Sequence, residues 1–244
     1  MSEMQPRIFL CDIEGTVAPI SLVSEQLFPY ARKHLAQYLK ENLAHPDVQK
    51  DLKLLAEENR NEEDLECPTH GMEIRNELYA RTYLLWLMDQ DRKSTALKSL
   101  QGKIWKAGFE SGELKGELFA DVPGAFARWN QSSRVAIYSS GSVDAQKLLF
   151  RYSTYGDLSP LIRGYFDTRT GAKSESASYA SIAAQLAVLP RELVFFSDMV
   201  RELNAAREAG CQTRLVLRPG NAPVQDIDGH LLVESFEPSA HLFW

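Results

Sequence analysis

Four short apolar runs in this chain stop abruptly on polar residues. Ile8-Phe9-Leu10-Cys11 ends at Asp12, and Arg134-Val135-Ala136-Ile137-Tyr138 ends at Ser139-Ser140-Gly141. Glu192-Leu193-Val194-Phe195-Phe196 ends at Ser197-Asp198, and Thr213-Arg214-Leu215-Val216-Leu217 ends at Arg218-Pro219-Gly220. Unbroken runs of this length are the pattern of strands buried on both faces of a parallel sheet. Helical periodicity occupies residues 144–152, 174–186 and 200–209, the last followed by Gly210 as a C-cap. Strands alternating with helices predict an α/β fold, a doubly wound, Rossmann-like parallel sheet.

The stretch between the first two runs breaks this rhythm. Leu27, Phe28, Ala31, Leu35 and Leu39 recur at helical spacing, as do Leu97, Leu100 and Ile104. Residues 78–88 are apolar nearly all round, the mark of a buried helix. The spacing predicts a mainly helical cap domain, residues 20–119, inserted into a core made of 1–19 and 120–244. The joints are expected within 19–24 and 108–119. No internal repeat is visible.

Composition narrows the classes. With 244 residues, 44% hydrophobic and 25% charged, the chain can bury a sizeable core and is not a disordered tail. Its 3 cysteines, Cys11, Cys67 and Cys211, lack any C-x-x-C spacing, so a reducing, cytoplasmic setting is expected rather than a disulfide framework. The apolar runs are too short for a membrane span, and the Met-Ser-Glu-Met-Gln-Pro-Arg start has no apolar core of a secretory signal. A formal charge of −6 argues against nucleic acid as a partner, and also sits awkwardly with an anionic substrate. That excess is local: residues 40–92 hold 13 Asp+Glu against 7 Lys+Arg, and the rest is balanced. The acidic stretch 57–64 reads as a solvated helix end or loop.

Candidate chemistry gathers at the strand ends, where open α/β sheets bind their ligands. Asp12 and Glu14 flank the first end with Gly15 freeing the turn, Ser139 and Ser140 close the second, and Asp198 closes the third. Asp198 and Glu202 stand at i,i+4 spacing from strand into helix. Carboxylates converging on one spot repel one another unless a cation neutralises them, and a hard, oxygen-liganded Mg²⁺ is the natural resolution. Taken singly, each residue has an ordinary structural role: Asp12 as an N-cap, Ser139-Ser140-Gly141 as a turn, Lys173 as a surface charge. Glu202 reads as a helix-surface or supporting acid rather than a direct metal ligand, His70 as a loop histidine, and Trp86 and Trp105 as core residues of the insertion.

Together these motifs resemble the haloacid dehalogenase-like phosphohydrolases, and within them the enolase-phosphatases of methionine salvage. The resemblance is carried by Asp12-Ile13-Glu14-Gly15-Thr16, Leu27-Phe28-Pro29-Tyr30 and Gln90-Asp91-Arg92-Lys93-Ser94-Thr95-Ala96-Leu97-Lys98. It continues through Phe119-Ala120-Asp121-Val122, Ile137-Tyr138-Ser139-Ser140-Gly141-Ser142, Phe166-Asp167-Thr168, Gly171-Ala172-Lys173, Ser197-Asp198 and Arg218-Pro219-Gly220-Asn221. It implies that Asp12 is the nucleophile and a Mg²⁺ ligand, that Glu14 ligates through its carbonyl and moves protons, and that Asp198 completes the metal site. Ser139 and Ser140 would hold the phosphoryl group, helped by N–H groups at the start of the next helix, and Lys173 would neutralise it and pair with Asp12. Glu14 departs from the superfamily's usual Asp, which leaves its proton-transfer role open. The implied substrate is a small phosphorylated diketone, 2,3-diketo-5-methylthiopentyl 1-phosphate, enolised and then dephosphorylated by a monomeric enzyme, with the insertion as a lid. The enolising base stays open between Glu14 and Lys173. The core motifs alone equally permit a generic small-molecule phosphomonoesterase.

Overall fold

The computed structural model describes residues 6–74 and 76–237. In chain order the elements are β1 (Ile8–Cys11), a π-helical turn (Leu22–Leu27), α1 (Phe28–Asn42), α2 (Pro46–Arg60), α3 (Glu77–Asp89) and α4 (Thr95–Ser111). There follow α5 (Val122–Trp129), β2 (Arg134–Tyr138), α6 (Val143–Arg151), β3 (Ile162–Phe166) and α7 (Ser176–Gln185), then β4 (Leu193–Ser197), α8 (Val200–Glu208), β5 (Gln212–Val216) and β6 (Leu231–Val233). The chain forms two compact units. One comprises the residues through Val23 and from Lys115 onward; the other is Ser24–Leu114.

The first unit is built on one six-stranded sheet in the order β3-β2-β1-β4-β5-β6, with every pairing parallel. β1 lies at the centre, and the chain winds outward from it in both directions, so the switch point falls at the carboxyl ends of β1 and its neighbours. Ile8, Leu10, Ala136, Tyr138 and Phe195 bury one face together with Tyr179, Ile182, Leu203 and Ala206 from α7 and α8. On the other set of side chains Phe9 stacks on Trp129 of α5 at 4.4 Å and 7°, and Trp129 meets Phe196 and Phe236. Each aromatic buried this way contributes on the order of 2 kcal/mol of apolar transfer.

Two strands lie outside the sequence expectation, β3 and β6. Both are edges. β3 reads Ile-Arg-Gly-Tyr-Phe, whose part-exposed middle breaks the apolar run, and β6, Leu-Leu-Val, is only three residues with two exposed, too short to stand out as the inner strands do. Residues 20–23 and 115–119, expected in the insertion, group instead with the sheet unit. Phe119 N–H donates to the Val17 carbonyl at 3.0 Å and Gly116 N–H to Tyr152 O at 2.9 Å. Gly116 lies so close to the Leu149 carbonyl that a Cβ would overlap it, which glycine alone permits.

In the second unit the regular elements among the described residues are all helices, with a loop between α2 and α3. Ala31, Leu35 and Leu39 of α1 pack with Val48 and Leu55 of α2, Leu84 and Leu87 of α3, and Leu97, Leu100 and Ile104 of α4. Trp86 and Trp105 belong to this core, Trp105 donating to the Leu27 carbonyl at 2.7 Å; His70 is exposed. The acidic stretch is more than a solvated end, which corrects the sequence reading. Ser94 caps α4 by accepting from Leu97 N–H at 2.9 Å, and Glu58 accepts from the N–H groups of Thr95 and Ala96 at 3.1 and 3.3 Å. Negative charge there satisfies orphan donors and faces the positive end of the helix dipole. Glu62 takes both Arg92, at 3.0 Å, and the Tyr83 hydroxyl, while Asn59 is buried and bridges to Met72 O. Much of the Gln90–Lys98 segment thus organises its own unit.

Candidate active site

Parallel register decides which residues meet. Cys11 pairs with Ile137 of β2 and with Phe196 of β4, so the residues following these three positions emerge side by side: Asp12, then Ser139 and Asp198 one step further along. Asp12 N–H still donates to Phe196 O at 2.9 Å, which holds the residue in line with the sheet. Beyond it the chain folds into a tight turn around one carbonyl. Thr16, Val17 and Ala18 N–H all point to Ile13 O, at 3.2, 2.9 and 2.8 Å, and Gly15 N–H returns to Ala18 O at 2.8 Å. Gly15 has φ +69°, and a Cβ on it would overlap the Asp198 carboxylate. The Gly in Asp-Ile-Glu-Gly-Thr is therefore required twice, by backbone sign and by space.

Asp12 is buried, and its Oδ1 is 2.7 Å from Lys173 Nζ. The same ammonium lies 2.6 Å from Glu202 Oε2, and Ser197 Oγ donates to that oxygen at 2.9 Å. Glu202 is thus neither on the helix surface nor adjacent to Asp198 in role: it orients the lysine. Burial alone would lower the Lys173 pKa, but the two carboxylates outweigh it and hold the group above its ordinary value, firmly cationic.

Three hydroxyls fix the loop that delivers Lys173. Tyr138 OH donates to Gly171 O at 2.9 Å, Ser178 Oγ to Ala172 O at 2.7 Å and Tyr179 OH to Lys173 O at 2.7 Å. Gly171, at φ +145°, lies against Ser178 Oγ so closely that a Cβ would overlap it. None of these hydroxyls was singled out from sequence. The available signal was a tyrosine at the end of a buried strand and a Ser-Tyr pair on a buried helix face, each needing a polar partner.

Ser139 is buried, accepts from Gly141 N–H at 3.2 Å and donates its own N–H to Phe166 O; Ser140 beside it is exposed. The helix start offers less than expected. Val143 N–H already donates to Asp167 Oδ2 at 3.1 Å, and Ala145 N–H to the Ser142 cap at 3.3 Å. Asp167, itself forked onto Arg169, explains the Phe-Asp-Thr motif as a clamp between β3 and α6.

The remaining carboxyls are under electrostatic pressure. Burial, then Asp12 and Glu202, push Asp198 up to about 7, and burial with Asp12 raises Glu14 as well. Among the described residues no group of three or more His, Cys, Asp or Glu side chains is arranged to hold a metal ion. The donors that do converge, two carboxylates on adjacent strand ends beside the turn that carries Glu14, are nevertheless the set a Mg²⁺ ion uses, since it keeps several waters and takes only one or two carboxylates. A hard cation would relieve the repulsion that the raised carboxyls register.

Comparison with known proteins places this geometry. The haloacid dehalogenase-like hydrolase profile matches residues 6–210. The enolase-phosphatase E1 of Synechococcus elongatus is 54% identical over 229 residues, spanning 93% of this chain and 95% of its own length. The chain belongs to the enolase-phosphatase E1 family of haloacid dehalogenase-like hydrolases. The enolase-phosphatase E1 of Danio rerio is 42% identical over 244 residues, across 94% of this chain and 93% of its own. Among solved structures, the UTR4 protein of Saccharomyces cerevisiae superposes with a TM-score of 0.81 at 37% identity, covering 96% of this chain and 100% of that one. The Bacillus subtilis hydrolase YfnB, described as bound to magnesium, shares the fold alone, with a TM-score of 0.54 at 13% identity. As a family member the chain is an enolase-phosphatase, a hydrolase, and no helix among its described residues is long and apolar enough to cross a membrane.

Proposed function

We propose that this enolase-phosphatase converts 2,3-diketo-5-methylthiopentyl 1-phosphate to the acireductone 1,2-dihydroxy-3-keto-5-methylthiopentene and phosphate in methionine salvage. The observation that carries the residue assignment is the buried Lys173 ammonium, 2.7 Å from Asp12 and 2.6 Å from Glu202. A nucleophilic carboxylate held beside a fixed positive charge suits attack on a phosphorus whose oxygens are anionic. Asp12 and Asp198 would hold a Mg²⁺ ion together with the Glu14 carbonyl. When bound, that ion supplies Lewis-acid polarisation of the substrate's oxygens and neutralises phosphoryl charge.

The rest is the work of side chains. Enolisation removes a proton from the carbon next to a ketone. Lys173 is held cationic and is a poor base, whereas burial and the neighbouring Asp12 raise the Glu14 carboxyl and make it a stronger base than an ordinary carboxylate. We therefore assign the base to Glu14. Asp12 then attacks phosphorus, the bond to the enol oxygen breaks, and the protonated Glu14 gives that oxygen its proton. Water, deprotonated by Glu14, attacks the aspartyl-phosphate, and the P–O bond to Asp12 breaks to release phosphate and restore the carboxylate. Glu14 passes this last proton to the enolate oxygen left by the first step. Ser139 and Ser140 orient the phosphoryl oxygens through the turn between β2 and α6.

The test supplies the diketone phosphate and follows enol absorbance and phosphate together. Asp12→Asn should cut phosphate release by at least about 10³-fold. Phosphate release persisting near the wild-type rate would end the assignment. Release with no enol formed at any substrate level would favour a generic phosphomonoesterase.

A further inference from the structure

Asn221 lies in the loop after β5, outside every catalytic role given above, and its side-chain amide is oriented without ambiguity. Nδ2 donates to Gly15 O at 2.9 Å and is 3.4 Å from Val216 O. Two carbonyl oxygens can face only the NH₂ end of an amide, so the oxygen end must point the other way. That oxygen, Oδ1, is buried and has no hydrogen-bond partner. A Cβ built on Gly15 would overlap the Asp198 carboxylate and would lie 3.0 Å from Asn221 Oδ1, so both oxygens border one small volume over Gly15. Two acceptors facing each other repel unless a donor stands between them, and a buried amide oxygen without a donor is destabilising.

We propose that Asn221 Oδ1 accepts a hydrogen bond from a water of the Mg²⁺ hydration shell beside Asp198, making Asn221 a positioning residue for the cation. This rests on the divalent-cation site proposed above. One side chain then does two things: Nδ2 pins the carbonyl of the turn that follows Asp12, and Oδ1 fixes the cation's outer contact. Such outer contacts commonly change metal affinity by 10- to 100-fold.

The two halves of the amide can be separated. Mg²⁺ is titrated calorimetrically into the free wild-type enzyme and into Asp198→Asn, Asn221→Ala and Asn221→Asp, with a thermal melt of each. The wild type should bind one Mg²⁺, and Asp198→Asn should lose it. Asn221→Ala should weaken binding by about tenfold or more. Asn221→Asp keeps an acceptor oxygen but loses the donor to Gly15 and Val216, so it should recover most of that affinity while melting below the wild type. A merely structural asparagine predicts the reverse, with Asn221→Asp binding no better than Asn221→Ala, and that result overturns the proposal. So does Asn221→Ala binding within about twofold of wild type. Absence of Mg²⁺ binding by the wild type would instead overturn the cation site itself, and this inference with it. Should a variant not fold, a Mg²⁺-bound wild-type crystal structure decides: a water shared by the cation and Asn221 Oδ1 supports the proposal, and an Oδ1 without one overturns it.

Discussion

The sheet unit and the helical unit use their charged residues in opposite ways. In the sheet unit Asp12, Glu14, Lys173, Asp198 and Glu202 come from separate strand ends and loops and crowd one spot, leaving Glu14 and Asp198 hard to ionise. In the helical unit the acids are placed where each relieves something: Glu58 on the start of α4, Glu62 under Arg92 and Tyr83. Its exposed pairs, such as Arg32–Asp89 at 2.6 Å, add little, because solvent screens them. Buried charge that frustrates itself marks chemistry, and buried charge that is satisfied marks architecture. The contrast also resolves the overall charge of −6. The excess falls in residues 40–92, and the acids that crowd the strand ends are matched by a lysine and the proposed cation.

The largest test of this contrast exchanges one carboxylate-paired cation in each unit, the buried Lys173 and the exposed Arg92. Lys173→Met should reduce kcat/KM for phosphate release by about 10³-fold or more, since it removes the fixed charge next to the nucleophile. Arg92→Met should leave kcat/KM within about threefold and lower stability by about 1–2 kcal/mol, because Glu62 loses its cation but keeps the Tyr83 hydroxyl. Steady-state kinetics and denaturant midpoints on the same preparations check both. Equal catalytic losses from the two variants would break the contrast.

A smaller effect sharpens it from within the sheet unit, where one buried pair is architectural. Arg218 forks onto Asp121 at 2.7 and 3.0 Å, donates to Thr16 O at 3.0 Å, and lies between the Phe119 and Phe236 rings at 4.5 Å from each. Burial alone would raise Asp121, but Arg218, the Phe236 N–H and the Ser235 hydroxyl outweigh it and hold the carboxyl below its ordinary value. The native state therefore binds the proton less readily than the unfolded chain, so the pair's stabilisation is full above the ordinary carboxylate pKa of about 4 and is lost as pH falls through the depressed value. Asp121→Asn should cost about 3–5 kcal/mol at pH 7. The difference from wild type should shrink steadily below about pH 4. Urea midpoints at pH 3 to 7 test this, and a difference independent of pH would contradict it.

What sequence could and could not disclose follows the same line between one-dimensional and assembled signals. β1, β2, β4 and β5 are buried on both faces, so their apolar runs announce them, while β3 and β6 as edges are half solvated and silent. Asp12, Ser139 and Asp198 stand at strand ends, and parallel register makes their convergence a matter of topology. Glu202 was different. Its i,i+4 spacing to Asp198 pointed to a shared site, yet its partner is Lys173, which arrives on a separate loop fastened by Tyr138, Ser178 and Tyr179. Likewise, nothing in Arg218-Pro219-Gly220-Asn221 says that two of its side chains hold the carbonyls of Thr16 and Gly15, about 200 residues earlier. Long-range capping of backbone by side chains has no period and no spacing to read.

The smallest effect belongs to the helical unit. Ser94→Ala removes the acceptor for Leu97 N–H and the hydroxyl that donates to Glu58, so α4 loses its cap and Glu58 loses part of its anchor at once. A lost serine cap costs about 1 kcal/mol. Glu58→Gln keeps the acceptor oxygen but removes the charge facing the helix dipole, worth about 0.5 kcal/mol. The two residues bond to each other, so the double variant should cost less than the sum of the singles. Denaturant midpoints of the four proteins complete that cycle. Strict additivity would mean that Ser94 and Glu58 act independently on α4, and that the Gln90–Lys98 segment and the acidic stretch are not one structural device.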